Sequence, residues 1–170
     1  MRITHLLVVM FAIFVSACST PIPQNAEEFR KVIPTAFMGS KEEMVASRDF
    51  SEISATFKKM APKCLNVTMT ITHRVGQGYG TRTVKYTPTV LESPKKLELH
   101  VQTIMENVVL VGKGDAPKNG LYNLVVDVMP TGKGKSKAVI YGPSSGLDTM
   151  IKGVKGWITG DNIGCPDLTQ

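Results

Sequence analysis

Val67-Thr68-Met69-Thr70-Ile71-Thr72-His73-Arg74 is the stretch from which the fold is read. Val67, Met69, Ile71 and His73 share one face, and Thr68, Thr70, Thr72 and Arg74 share the other. That period-two alternation marks a half-buried strand. Gly76-Gln77-Gly78-Tyr79-Gly80 follows, and alternation resumes at Val84, Tyr86, Pro88 and Val90. Two such runs around a glycine-rich turn predict an antiparallel hairpin. Pro88 has no N–H for the ladder, so its strand is expected to end, bulge or lie at an edge there.

Further along the chain, Leu97, Leu99 and Val101 predict another strand, and Val108 to Val111 is a short apolar run. Leu121 to Met129 is almost continuously apolar, as expected of a strand central in the sheet. Thr131-Gly132-Lys133-Gly134-Lys135 reads as a turn into a strand over Ala138 to Tyr141. Upstream, Glu42 to Ser47 is a short first strand, and Asp49 opens the clearest helix. Phe50, Ile53, Phe57, Met60 or Ala61, and Cys64 recur at steps of three and four, with Asp49 and Glu52 at capping-box spacing. Pro62 is expected to end or kink the last turn.

A second helix follows the last strand. Ser145 is its expected cap, and Leu147, Met150, Ile151, Val154, Trp157 and Ile158 form its apolar face. Gly153 and Gly156 weaken it by roughly 1 kcal/mol each and are read as points of close contact with the sheet. Gly160 is the expected stop. The order β-α-β-β-β-β-β-α predicts an α+β layer fold: a curved antiparallel sheet of about five to six strands with two helices packed on one face. In topology alone this resembles the helix-grip and TATA-box-binding-protein-like folds.

The N-terminal stretch has a different character. Arg2 is the only formally charged side chain before Cys18, and Leu6 to Val15 is unbroken apolar sequence. As a helix that run spans about 15 Å, roughly half a bilayer core. It is too short to cross a membrane and suits the core of a signal peptide. Small residues Ser16 and Ala17 then precede Cys18. Val15-Ser16-Ala17-Cys18 resembles the lipobox of bacterial lipoprotein precursors. The resemblance implies a diacylglycerol thioether on Cys18, cleavage before it, and N-acylation of the new terminus. Two or more acyl chains anchor stably where one does so only marginally. Ser19 is not the aspartate associated with inner-membrane retention, so the resemblance implies the outer membrane, facing the periplasm.

On this reading residues 1–17 are a signal peptide, 18–40 the lipidated cysteine and tether, and 41–170 a single domain. Ser19 to Asn25 is polar and broken by Pro21 and Pro23, favouring an extended tether. Ala26 to Ile33 has room for a turn or two of helix before Pro34. Fully extended, residues 19 to 40 would reach at most about 70 Å, so the domain need not rest on the bilayer.

With Cys18 assigned to lipid, Cys64 and Cys165 remain. The envelope of a Gram-negative bacterium is oxidising, and a Cys64–Cys165 disulfide is the natural pairing. Neither has a CxxC partner or a histidine at ligand spacing, which argues against a metal site. The chain carries a formal net charge of +6. Loss of Arg2 leaves nineteen basic against fourteen acidic side chains, a net +5. Lys113, Lys118, Lys133, Lys135 and Lys137 sit in glycine-rich connections, where they are either solvated or set against anionic headgroups. Export argues against a nucleic-acid partner.

Catalytic signals are weak. Gly76-x-Gly78-x-Gly80 lies between strands and opens no helix, so it is not a dinucleotide fingerprint. The Gly112 and Gly132 turns lack the full P-loop pattern. His73 and His100 would form a base–orienter pair only if the sheet brought them together near Glu98 or Asp127. Two functions are expected from these residues. The first is a non-catalytic module, without cofactor, that binds another envelope protein or assists assembly. The second is a carrier of a small amphiphile or lipid in a cleft between sheet and helices, lined by Phe50, Phe57, Tyr86, Tyr122 and Trp157. A filled interior favours the first, and a connected apolar pocket the second.

Overall fold

The computed structural model describes residues 21–75, 78–105, 115–161 and 164–168. Cys18, the lipobox and the run Val108 to Val111 lie outside them. The elements are α1 (Ala26–Val32), a 3-10 turn (Ile33–Thr35), β1 (Gly39–Ala46), α2 (Phe50–Cys64), β2 (Thr68–Val75), β3 (Gly78–Ser93), β4 (Lys96–Met105), β5 (Leu121–Gly132), β6 (Lys135–Pro143) and α3 (Asp148–Thr159). The six strands form one sheet in the order β1-β6-β5-β4-β3-β2, with every neighbouring pair antiparallel. The fold is α+β, an open sheet with three helices packed against it.

The alternation read from sequence sets the two faces. Leu97, Leu99 and Val101 of β4, Leu124, Val126 and Val128 of β5, and Ala138 and Ile140 of β6 all turn toward α2 and α3. Ile53, Phe57, Ala61 and Leu65 around α2 meet Met150, Val154, Trp157 and Ile158 of α3 in that layer. Phe57 and Trp157 are fully buried and touch edge to face, with centroids 5.8 Å apart. Burying each such ring contributes about 1.5–3 kcal/mol, so this layer is the main source of stability.

Pro88 lies inside β3, opposite Val101 of β4. The Tyr86 amide donates to the Val67 carbonyl on the β2 side at 2.8 Å. Two residues on, Pro88 turns its N–H-less nitrogen the same way, beyond Thr68, where β2 starts. The proline is tolerated because β3 is an edge at that point.

The first of the two expected helices starts at Asp49 as read, though without a capping bond, and the second does not start at Ser145. Asp49 is the N-cap of α2, but its side chain makes no cap hydrogen bond. Its Oδ1 instead accepts from the Gly134 amide in the β5–β6 turn at 2.9 Å, tying helix to sheet. Leu147, not Ser145, is the N-cap of α3. Asp148 Oδ2 accepts from the Gly146 amide at 3.0 Å, and Gly146 is left-handed with φ +87°.

Cys64 and Cys165 form the expected disulfide, with Cα atoms 5.1 Å apart. It closes a loop of about 100 residues, for which chain entropy gives roughly 4–5 kcal/mol, while disulfides typically contribute about 2–4 kcal/mol. The bond fastens residues 164–168 across α3. Trp157 Nε1 donates to the Gly164 carbonyl at 2.8 Å. Gly153 makes its close contact here rather than with the sheet, since a Cβ on it would meet Pro166 at 2.8 Å.

The stretch expected to be tether holds the third helix. Asn25 caps α1 by accepting from the Glu28 amide. Ala26 and Phe29 pack with Val125, Tyr122 and Tyr141 on the sheet face opposite α2 and α3. The two expected helices lie on one face as read, and the structure adds a short third on the other.

Candidate functional site

The second sheet face carries the molecule's largest charged cluster among the described residues. Alternation places Glu98 and His100 of β4 and Asp127 of β5 on it, and the end of α1 brings Arg30 above them. Arg30 Nε and Nη2 donate to Asp127 Oδ2 and Oδ1 at 2.9 and 2.7 Å, and Nη2 also bonds Glu98 Oε2. Lys96 Nζ lies 3.2 Å from Glu98 Oε1 and 3.2 Å from Asp127 Oδ1. His100 Nε2 is 3.0 Å from Glu98 Oε2. Burial alone would raise the Glu98 carboxyl, but hydrogen bonds from His100, Arg30 and Lys96 outweigh it and hold it at about 2. Burial likewise opposes the Arg30 charge, yet bonds to Asp127 and Glu98 leave its pKa raised.

This cluster works as a clamp. All four carboxylate oxygens of Glu98 and Asp127 have a partner within it. The histidine pair is not assembled. His73 pairs with Gly80 on β3, and His100 pairs with Thr89 on the same strand. That separation along β3 is about 30 Å at strand rise. His100 instead meets Glu98, and its ring stands edge-on to Tyr122 at 5.9 Å. Among the described residues, no group of three or more His, Cys, Asp or Glu side chains could hold a metal ion.

The five aromatics expected to line one cleft are spread over three environments. Phe57 and Trp157 fill the main core, and Phe50 packs partly buried at its margin. Tyr122 faces the opposite side of the sheet. The register slips at Val101 and Gln102, which pair with Leu124 and Tyr122, so Asn123 is an extra residue and reverses the alternation. Tyr122 lines a pocket of about 280 Å³ with Phe29 of α1 and Leu121 at the start of β5, and Tyr86 borders a separate opening. That opening is a groove along β2, bounded by the turn before α3 and by the C-terminal tail. Its adjoining parts, about 170, 570 and 370 Å³, share Met69 and Leu168. Burial raises the Tyr86 hydroxyl pKa above its ordinary value.

β2 is also an edge strand. Met69 and Ile71 stand opposite Val84 and Arg82, in the same register as the bonded Tyr86–Val67 pair. The Thr68, Thr70 and Thr72 amides therefore point away from the sheet. Among the described residues no further strand pairs with them, and edge groups of this kind accept an added strand.

The loop lysines separate into two groups. Lys118 lies near the start of β5, whereas Lys133, Lys135 and Lys137 flank the β5–β6 turn at the other end. Lys113 lies outside the described residues. Lys137 also pairs with Glu43 at 2.6 Å. The four described lysines do not form one basic face.

Sequence reasoning did not single out Arg30, or the apolar pair Phe37-Met38, which is exposed at 96% and 54%. The signal for the latter was two large apolar residues between Pro34 and Gly39 with no periodic run to bury them. Comparison of the chain with known proteins finds no matching family model, no matching curated protein and no matching solved structure.

Proposed function

We propose that this chain is a lipid-anchored protein of a bacterial envelope, held by acyl chains on Cys18 at the periplasmic face of the outer membrane. Its folded domain serves as a non-catalytic module that binds another envelope protein. The observation that carries the proposal is Val15-Ser16-Ala17-Cys18 after an apolar run too short to span a bilayer. The Cys64–Cys165 disulfide is consistent with an oxidising compartment.

Two features favour a protein partner over an amphiphile carrier. Phe57 and Trp157 fill the space between the sheet and the helices α2 and α3. The principal groove opens along an edge strand, which supplies backbone groups for an extended peptide rather than enclosure for a lipid tail.

Crosslinking of the lipidated protein in cells, followed by mass spectrometry, tests this reading. Thr70→Pro removes an outward-facing amide while sparing the β2–β3 ladder. A reproducible protein partner lost in Thr70→Pro, with the fold intact, is the expected result. A retained amphiphile and no protein partner would replace this reading with the carrier.

A further inference from the structure

We infer that the end of the sheet bearing Phe37 and Met38 faces a lipid bilayer, with both side chains entering its headgroup region. The inference rests on the lipid-anchor reading and adds an orientation to it.

A single exposed apolar residue is ordinary. Here the two side chains project from a turn held on several sides. The Ala36 amide donates to the Ile33 carbonyl at 3.2 Å, Gly39 to Ala36 at 2.9 Å, and Ser144 to Met38 at 2.8 Å. Met38 is left-handed at φ +61°, a conformation that favours Gly or Asn and is unfavourable for Met. Gly39 is required at the next position, because a Cβ there would lie 1.8 Å from the Ile33 carbonyl oxygen.

The anchor leaves from the same end. Gly39 pairs with Pro143, and the antiparallel pairing of Tyr141 with Val125 places Pro143 beside the start of β5. Pro21, Ile22 and Pro23 line a pocket of about 280 Å³ together with Leu121 and Tyr122 at that start. Ile104, 42% exposed, lies there too, next to the Thr103–Leu121 pair. The tether is docked from Gln24, whose Nε2 donates to the Asp115 carbonyl at 2.8 Å. From Cys18 to Gln24 a fully extended chain spans at most about 20 Å, against the roughly 70 Å available if α1 were free. A Cys18 anchor therefore keeps this end beside the bilayer, and lipid is the partner within reach. Aromatic and methionine side chains at a protein tip suit the interfacial zone.

The test uses full-length lipidated protein in phosphatidylethanolamine–phosphatidylglycerol vesicles with brominated acyl chains. Phe37→Trp places a reporter at the tip. Val45→Trp places one at the far end of β1, where Val45 is 67% exposed. Wild type supplies the baseline of the buried Trp157. The expected result is a blue shift and bromolipid quenching for Phe37→Trp, and neither for Val45→Trp. Quenching at neither site in vesicle-bound protein would overturn the orientation and leave the anchor standing, as would quenching at both. A blue shift at 37 without quenching would assign the tip to a protein partner and also overturn it. Protein that fails to float with the vesicles would remove the anchor reading, and this inference with it.

Discussion

Replacing Arg30 by methionine keeps an apolar stem over the sheet and removes the guanidinium that clamps α1. Three hydrogen bonds to carboxylates are lost, each of a type contributing about 1.5–3 kcal/mol. The full sum does not apply, because Lys96 stays 3.2 Å from both acids and the cluster is partly wet. Asp127, only 5% exposed, nevertheless loses both of its closest donors. The expected cost is about 2–3 kcal/mol, or a Tm lower by about 4–12 °C for a domain of this size. Urea denaturation read by circular dichroism measures the change, and hydrogen exchange locates it in the α1 amides. A longer anchor reach should accompany the undocking of α1. Arg30→Lys should recover only part of the loss, since an ammonium cannot reproduce the fork to Asp127. A change under about 0.5 kcal/mol, the range of an ordinary surface substitution, would refute the clamp.

Three further perturbations have defined outcomes. The Glu98 carboxyl is held at about 2 in the folded protein, below the unfolded value near 4.3. Its contribution is complete above about pH 4.3 and is lost as pH falls toward 2. Glu98→Gln should therefore flatten the stability profile across that window, and an unchanged slope would contradict the assignment. Reducing Cys64–Cys165 should cost about 2–4 kcal/mol and red-shift the emission of Trp157, whose Nε1 is bonded to the tail at Gly164. Unchanged emission after confirmed reduction would show that the tail is held without the bond. Gly39→Ala should cost about 2 kcal/mol or more through collision with the Ile33 carbonyl. Gly132→Ala, with nothing within 4 Å, should stay within about 0.5 kcal/mol; calorimetry of both variants reads the difference.

The main layer was legible because its residues obey local periods. The alternation from Val67, the three-and-four spacing of Phe50 to Cys64, and the apolar run from Leu121 each encode a buried face. The second face was not legible. Glu27, Glu28, Arg30 and Lys31 make α1 look like a solvated turn of helix, and its clamp joins residues 97 positions apart. Tyr122 was misplaced because one extra residue in β5 inverts the alternation that otherwise predicts its side. The candidate site suffered for the same reason. Apolar residues announce burial, whereas the groove along β2 depends on where the tail is fastened and which strand ends at the edge.

The intact mass of the protein purified from membranes decides whether Cys18 is the anchor. The expected species is a chain beginning at Cys18 and carrying both diacylglycerol and an N-acyl group, with no such species from Cys18→Ser. A chain cleaved elsewhere, or an unmodified Cys18 thiol, would contradict the anchor reading.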